Sequence, residues 1–354
     1  MKAFRLDEIG QLNMYEEASK PVLTAGEVLV RVKAAGVCGS DVSRVYETGA
    51  HNMPLIIGHE FSGYVENVAD AKDSDLIGKR VGVFPLIPCL KCPECERGRY
   101  EMCHQYDYLG SRRDGGFAEY VAVPRWNIIE IADSISYESA AMLEPMAVAV
   151  HAIRHFEISK DMTIAVSGLG TIGQLVLMFL KEMGVNNLIG IGNKESQLKT
   201  AAHLGIDRNH LINVRENHAI SDIMNITESA GVDLFFECVG RNDSLELALL
   251  ATGCGGSICT VGNPYSDMIF SKDIYWKILR KQLTLTGTWN SSYYGDCDER
   301  SRGDDWNYCI DKLAQGRINP EQLITHKIKF EELSAKLEMM RDKTEDYIKV
   351  MISM

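Results

Sequence analysis

No stretch of this 354-residue sequence approaches the roughly 20 consecutive apolar residues that a membrane-spanning helix requires. The opening MKAFRLDEIG mixes charges with apolar side chains and has no hydrophobic core of a secretory signal. From these two absences we expect a cytoplasmic protein with no membrane partner. Low-complexity tracts and internal repeats are missing as well, which argues against a disordered tail or a repeat architecture. Positive charge is scarce: 37 Lys and Arg against 49 Asp and Glu leave a formal net charge of -12. A nucleic-acid-binding surface needs a basic face to neutralise phosphates, so no nucleic acid is expected as a partner.

What is present fits an ordinary globular protein, 45% hydrophobic and 24% charged. Single cores stop growing beyond roughly 250–300 residues, so the length predicts two domains. Ten cysteines in a reducing compartment point to metal binding rather than disulfides. Cys89, Cys92, Cys95 and Cys103 crowd one segment, while Cys38, Cys238, Cys254, Cys259, Cys297 and Cys309 are scattered.

The first 150 residues read as β-rich. EVLVRVKAAG, FSGYVENV, RVGVFPLI and FAEYVAVP carry β-branched and aromatic residues between Gly and Pro punctuation, which suits a small barrel-like sheet. From about Asp161 the rhythm changes. The buried strand MTIAVSG is followed by IGQLVLMFLKEMG, whose apolar residues recur three and four apart. LIGIG, ESQLKTAAHLG, LINV, VDLFFECVG, SLELALLATG, SICTVG, KDIYWKILR and LTLTGTW continue the alternation, the pattern of an α/β doubly wound parallel sheet. The tail, with its acidic, Tyr-rich SSYYGDCDERSRGDDW and a last strand YIKVMI, is expected to return to the first domain.

Three constellations carry chemistry. In PCLKCPECERGRYEMC, Cys89, Cys92 and Cys95 form C-x2-C-x2-C and Cys103 follows after seven residues. Four thiolates suit a closed, structural zinc site, and Lys91, Arg97 and Arg99 in the same loop could offset its negative charge. An iron–sulfur cluster is the competing occupant. In VSGLGTIG, Gly168, Gly170, Thr171, Ile172 and Gly173 place G-x-G-x-x-G between a strand and a helix, a cradle for a dinucleotide pyrophosphate. An NAD site places Asp or Glu about 20 residues on, to bind the ribose 2′-hydroxyl. That position is Gly192, followed by Asn193 and Lys194, so the acid is absent and NADP(H) is expected in preference to NAD(H). The third constellation is dispersed: Cys38 in GVCGSD, His59 and Glu60 in GHEFSG, and Glu144 in LEPMAVAVHA. A thiolate, an imidazole and a carboxylate leave the fourth position of a zinc ion open, as catalysis requires. Ser40 is expected to start a proton relay, and His51 is a weaker candidate to continue it.

CGSD, GHEFSG, the four-cysteine lobe, LEP and the glycine fingerprint resemble, in order, the motifs of the medium-chain zinc-dependent alcohol and polyol dehydrogenases. The resemblance covers nearly the whole chain. GAH at 49–51, PLIPCLKCPEC, YDYLGSRRDGGFAEY and ILRKQLTLTGTWN are similar to a branch acting on hexitol phosphates. It implies a GroES-like β-barrel catalytic domain at 1–146, completed by 290–354, and a Rossmann domain at 147–289. It also implies a homodimer or homotetramer with two zinc ions per chain. By the same resemblance Cys38, His59 and Glu144 match the catalytic zinc ligands, and the four clustered cysteines match the structural ones. Glu60 matches a carboxylate that enters or leaves the metal shell. The expected reaction oxidises a secondary alcohol of a hexitol phosphate to a ketose phosphate. An unphosphorylated polyol or simple secondary alcohol is the alternative substrate. For a phosphorylated one, Arg112 and Arg113 are the expected anion readers, unless neighbouring carboxylates such as Asp114 claim them.

Overall fold

The computed structural model describes residues 1–216, 218–295 and 303–354, so Cys297 and part of the acidic, Tyr-rich stretch lie outside the described residues. The chain forms two units. One comprises Met1–Ala147 and Ser291–Met354, the other Val148–Asn290.

The first unit is organised by the strand Glu27–Val37. Its sequence EVLVRVKAAGV is buried along nearly its whole length, because partners cover both of its edges. Glu60–Val68 runs antiparallel along one edge. The other edge is shared: Tyr120–Pro124 pairs with its first half and the chain's last strand, Lys349–Ser353, with its second. Two register shifts against Glu60–Val68 bend the strand enough to serve three neighbours. Phe4, Val30, Phe61, Val81, Phe117, Leu337 and Ile352 fill the core. Phe84, Trp126, Tyr293 and Trp306 form a second aromatic cluster that fixes the segment after Ser291 to this unit.

Two details go beyond the sequence reading. The β-rich run RVGVFPLI forms two strands, Arg80–Val83 and Leu86–Ile87, separated at Pro85, which has no N–H to give a ladder. The N-terminus, read only for targeting, forms a hairpin of Ala3–Glu8 and Gln11–Tyr15.

The second unit holds six parallel strands: Thr163–Ser167, Asn187–Gly192, Leu211–Asn213, Val232–Glu237, Thr252–Thr260 and Thr284–Gly287. In space the third, second and first are followed by the fourth, fifth and sixth. The strand order therefore reverses beside Thr163–Ser167, the place where doubly wound sheets bind ligands. Helices Thr171–Glu182, Glu195–His203, Asn242–Ala251 and Lys272–Arg280 form where the alternation predicts them. A further helix, Ala219–Ile226, lies in a stretch assigned no element from sequence. Among the described residues no helix is long and apolar enough to cross a membrane.

Candidate active site and metal centres

The four-cysteine lobe is built by a tight turn around the short helix Pro93–Glu96, which Cys92 precedes. The ligand atoms of Cys89, Cys92, Cys95 and Cys103 all lie within 4.8 Å of one another, and none of the four is in a disulfide. Sγ of Cys89 is 4.0 Å from that of Cys95, and Sγ of Cys92 is 3.9 Å from that of Cys103. A tetrahedron with zinc–sulfur bonds of about 2.3 Å has edges of about 3.8 Å, so the donors fit one zinc. Backbone amides help to hold the thiolates. Those of His104 and Cys95 bring the Cys92 thiol down to about 6, whereas burial pushes Cys95 up to about 12. The arginines expected to offset the lobe's charge are engaged elsewhere: Arg97 and Arg99 pair with Glu94 at 2.8 and 2.9 Å.

The dispersed group assembles at the end of the strand Glu27–Val37. Cys38 follows that strand, and its backbone N–H donates to Asp41 Oδ2 at 3.0 Å. Asp41 is wholly buried, accepts from Arg44 Nη1 at 2.8 Å and lies 3.4 Å from His59 Nδ1. A carboxylate behind an imidazole turns the ring's other nitrogen towards a metal. Burial opposes a charged His59, but Asp41 and Cys38 outweigh it and raise its pKa well above the usual 6.5. Glu60 opens the strand Glu60–Val68 opposite Gly36. The ligand atoms of Cys38, His59 and Glu60 all lie within 4.8 Å of one another. Thiolate, imidazole and carboxylate make a donor set suited to zinc.

Glu144 is not part of that close group. Near the start of the helix Leu143–Arg154, it accepts a hydrogen bond from the Tyr108 hydroxyl at 3.2 Å. Burial and the Glu60 carboxylate push Glu144 up to about 7, while His59, Lys349 and Tyr108 pull the other way. Glu60 forms a buried ion pair with Lys349, each side chain only 2% exposed.

In the second unit, Gly168 adopts φ +92°, and a Cβ there would meet Val239 and Cys238. Gly170 has open space where its side chain would be, and a Cβ on Gly173 would collide with the Gly168 carbonyl. The turn therefore keeps its backbone bare ahead of the helix Thr171–Glu182, as a pyrophosphate cradle must. Gly192 ends the second strand. Asn193 N–H donates to Gln197 Oε1 at 3.3 Å, and Lys194 precedes the helix Glu195–His203.

Residues 24–133 match the alcohol dehydrogenase GroES-like domain family, and residues 171–302 match the zinc-binding dehydrogenase family. Galactitol 1-phosphate 5-dehydrogenase of Escherichia coli strain K12 is 32% identical over 331 residues, 94% of each chain. The chain belongs to the medium-chain zinc-binding alcohol and polyol dehydrogenases. The crystal structure of galactitol-1-phosphate dehydrogenase from Escherichia coli is similar to this dehydrogenase with a TM-score of 0.91 at 30% identity, covering 100% of both chains. An alcohol dehydrogenase of Escherichia coli CFT073 solved with NADH has a TM-score of 0.86 at 28% identity, covering 100% of this chain and 99% of its own. A zinc-binding dehydrogenase of Sinorhizobium meliloti 1021 bound to NADP has a TM-score of 0.88 at 25% identity, with the same coverage.

The remaining sequence candidates fall unevenly in this dehydrogenase. Ser40 is half-buried in the short helix Gly39–Ser43. His51 is exposed, and its backbone N–H donates to the Ser111 carbonyl at 3.1 Å. Arg113 pairs with the buried Glu27 at 2.5 Å and with Asp107 at 3.7 Å, while Asp114 accepts from the Ile56 amide. The Arg112 guanidinium stacks 4.4 Å from the Tyr106 ring, which leads through Tyr108 to His59 with ring centroids 6.2 and 6.0 Å apart. Asp41, Arg44, Tyr108 and Lys349 were not singled out from sequence. Only Asp41 had a local clue, since it closes the Cys38–Asp41 turn three residues after a candidate ligand.

Proposed function

We propose that the protein is a zinc-dependent dehydrogenase of a hexitol phosphate resembling galactitol 1-phosphate, yielding a ketose phosphate with reduction of NADP+. The observation that carries this reading is the close Cys38, His59 and Glu60 group, with Glu144 and Tyr108 beside it, in a chain 32% identical to galactitol 1-phosphate 5-dehydrogenase. Cys38 and His59 would hold a catalytic zinc together with one carboxylate at a time, Glu144 or Glu60. Cys89, Cys92, Cys95 and Cys103 would hold a structural zinc. The catalytic zinc supplies the charge that acidifies a substrate hydroxyl, and the nicotinamide accepts the hydride. Asp41 orients His59, and Ser40 takes the released proton into a relay, a task a hydroxyl suits because it both accepts and donates.

Arg112 is the better placed of the two expected phosphate readers. Its Nε is buried without a hydrogen-bond partner, whereas Arg113 is occupied by Glu27 and Asp107. That loss of one reader is also what favours the second reading, an unphosphorylated polyol or secondary alcohol. The turn at Gly192, Asn193 and Lys194 favours NADP(H), because no carboxylate meets a 2′-phosphate and a cation stands two residues on.

The test follows reduced-nicotinamide absorbance with NAD+ and NADP+ in parallel over galactitol 1-phosphate, galactitol, sorbitol and a simple secondary alcohol. Highest kcat/KM with galactitol 1-phosphate and NADP+ is expected, and R112A should raise KM for the phosphate ester much more than for free galactitol. Turnover of free polyols alone, or equal effects of R112A on both substrates, would sink the phosphate reading.

A further inference from the structure

Glu237 ends the strand Val232–Glu237 and is only 2% exposed. Carboxylates are rarely buried unless their oxygens are met, because removing an ionised group from water is costly. Here backbone amides meet them. Oε1 accepts from Val239 N–H at 2.7 Å and from Gly240 N–H at 3.0 Å, and Oε2 lies 3.2 Å from the same Gly240 nitrogen. The Glu237 carbonyl accepts from the N–H groups of Val261 and Gly262 at 2.8 and 2.9 Å. One residue therefore ties together the turns that leave the fourth and fifth strands. Those turns also touch: a Cβ on Gly262 would collide with Gly240 N, and one on Gly240 with the Asn263 carbonyl. The turn at 238–240 abuts the glycine fingerprint as well. Cys238 N–H donates to the Ser167 carbonyl at 2.8 Å, and a Cβ on Gly168 would meet Val239 and Cys238.

These turns lie outside the carboxyl ends of the parallel strands, where doubly wound sheets hold a dinucleotide across their two halves. The position that would meet the adenosine ribose, Gly192, is on the second strand, to one side of Thr163–Ser167. The nicotinamide half therefore belongs on the other side, over the fourth and fifth strands. We propose that Glu237 is a positioning residue for the nicotinamide half of the cofactor, setting the turns at 238–240 and 261–263 as one preformed wall. The proposal rests on the nicotinamide-dinucleotide reading but not on the choice between NADP(H) and NAD(H). A carboxylate that accepts from two adjacent amides fixes both peptide planes in advance, so binding does not have to order them.

The test titrates the full-length protein with NADPH and NADH in parallel, read by nicotinamide fluorescence. Calorimetry measures the matching fragments that lack the nicotinamide, ADP-ribose 2′-phosphate and ADP-ribose. E237D keeps the charge but draws the carboxylate back by one methylene, whereas E237Q keeps the reach and one acceptor oxygen. E237D should weaken the reduced cofactor about tenfold or more and E237Q about threefold, with both fragments within about twofold of wild type. Emission of the bound nicotinamide should also shift towards that of the free cofactor in E237D, as the wall admits water. Equal losses for cofactor and fragment overturn the proposal, because they mark a general loss of fold. A larger loss in E237Q than in E237D also overturns it, because charge and not reach would then matter. If E237D does not fold, E237Q decides: a loss confined to the intact cofactor supports the proposal, and an unchanged ratio of cofactor to fragment affinity overturns it. Wild-type protein that binds neither reduced cofactor refutes the dinucleotide reading itself. Tight binding that is insensitive to Glu237 refutes only the role of Glu237.

Discussion

Replacing Gly192 by Asp puts back the one charge whose absence distinguishes this cofactor turn. A Cβ at Gly192 would lie 3.2 Å from Gln197 Oε1 and 3.3 Å from the side chains of Leu169 and Leu198, so it fits after shifts of a few tenths of an ångström. Gln197 is the neighbour most able to move, at the cost of its bond from Asn193 N–H, about 1 kcal/mol. The new carboxylate would repel a 2′-phosphate about 4 Å away by about 4 kcal/mol per unit charge at an effective dielectric of ~20. At about 1.4 kcal/mol per decade, that lowers kcat/KM for NADP+ by up to about a thousandfold. Solvent and salt screen an open turn, so about a hundredfold is the minimum expected. With NAD+ the same carboxylate gains a charged hydrogen bond to the ribose hydroxyl, which should raise kcat/KM about tenfold or more. The assay compares both cofactors at saturating alcohol, wild type against G192D, with the melting temperature as a check on folding. A cofactor ratio that moves less than about tenfold in a stably folded G192D would refute the assignment of this turn, since even screened repulsion should move it further.

Three further perturbations test other parts of the structure. G36A sets a methyl group against Glu60 and Lys349, so on the proposed two-zinc reading metal analysis should find one ion per chain fewer than in wild type, with the four-thiolate ion retained. K281M removes an ammonium that donates to the carbonyls of Leu249, Leu250 and Thr252 at the end of the helix Asn242–Ala251, and urea unfolding should show a loss of about 1–2 kcal/mol. Asp304 is held by burial at about 6 instead of 3.8, so between those values the folded state binds more protons than the unfolded one and stability falls as pH rises, by about 3 kcal/mol at most. D304N keeps an oxygen for the Asn307 amide and should lack that slope. Parallel stability profiles of the two proteins from pH 4 to 6.5 would contradict it.

Short-range chemistry was legible in the sequence because its spacing is fixed by local geometry. Gly168 to Gly173 and Cys89 to Cys95 each specify a turn within a few residues, and the structure builds both turns with the expected donors or bare backbone. Composition marks RVGVFPLI as β-rich but does not set strand bounds, and Pro85, which cannot pair in a ladder, divides it into two strands. Charges were harder still. Arg97, Arg99 and Arg113 each had several nearby carboxylates in sequence, and only folding shows that Glu94 takes the first two and Glu27 the third. Lys349 meets Glu60 from almost 300 positions away, and no spacing rule reaches that far.

That last pairing shows what sets the candidate site. Gly36 lies opposite Glu60 on one edge of its strand and opposite Met351 on the other, with Cys38 two residues further on. The register of three strands therefore determines which side chains join the candidate metal site, and a one-residue slip would turn Glu60 to the opposite face. That register is fixed by burial of Val28, Val30, Val32, Phe61, Val350 and Ile352, none of which has any chemistry of its own. An apolar core and a polar centre are thus one constraint: the hydrophobic pattern aligns the strands, and the alignment brings a thiolate, an imidazole, one carboxylate and its paired ammonium together.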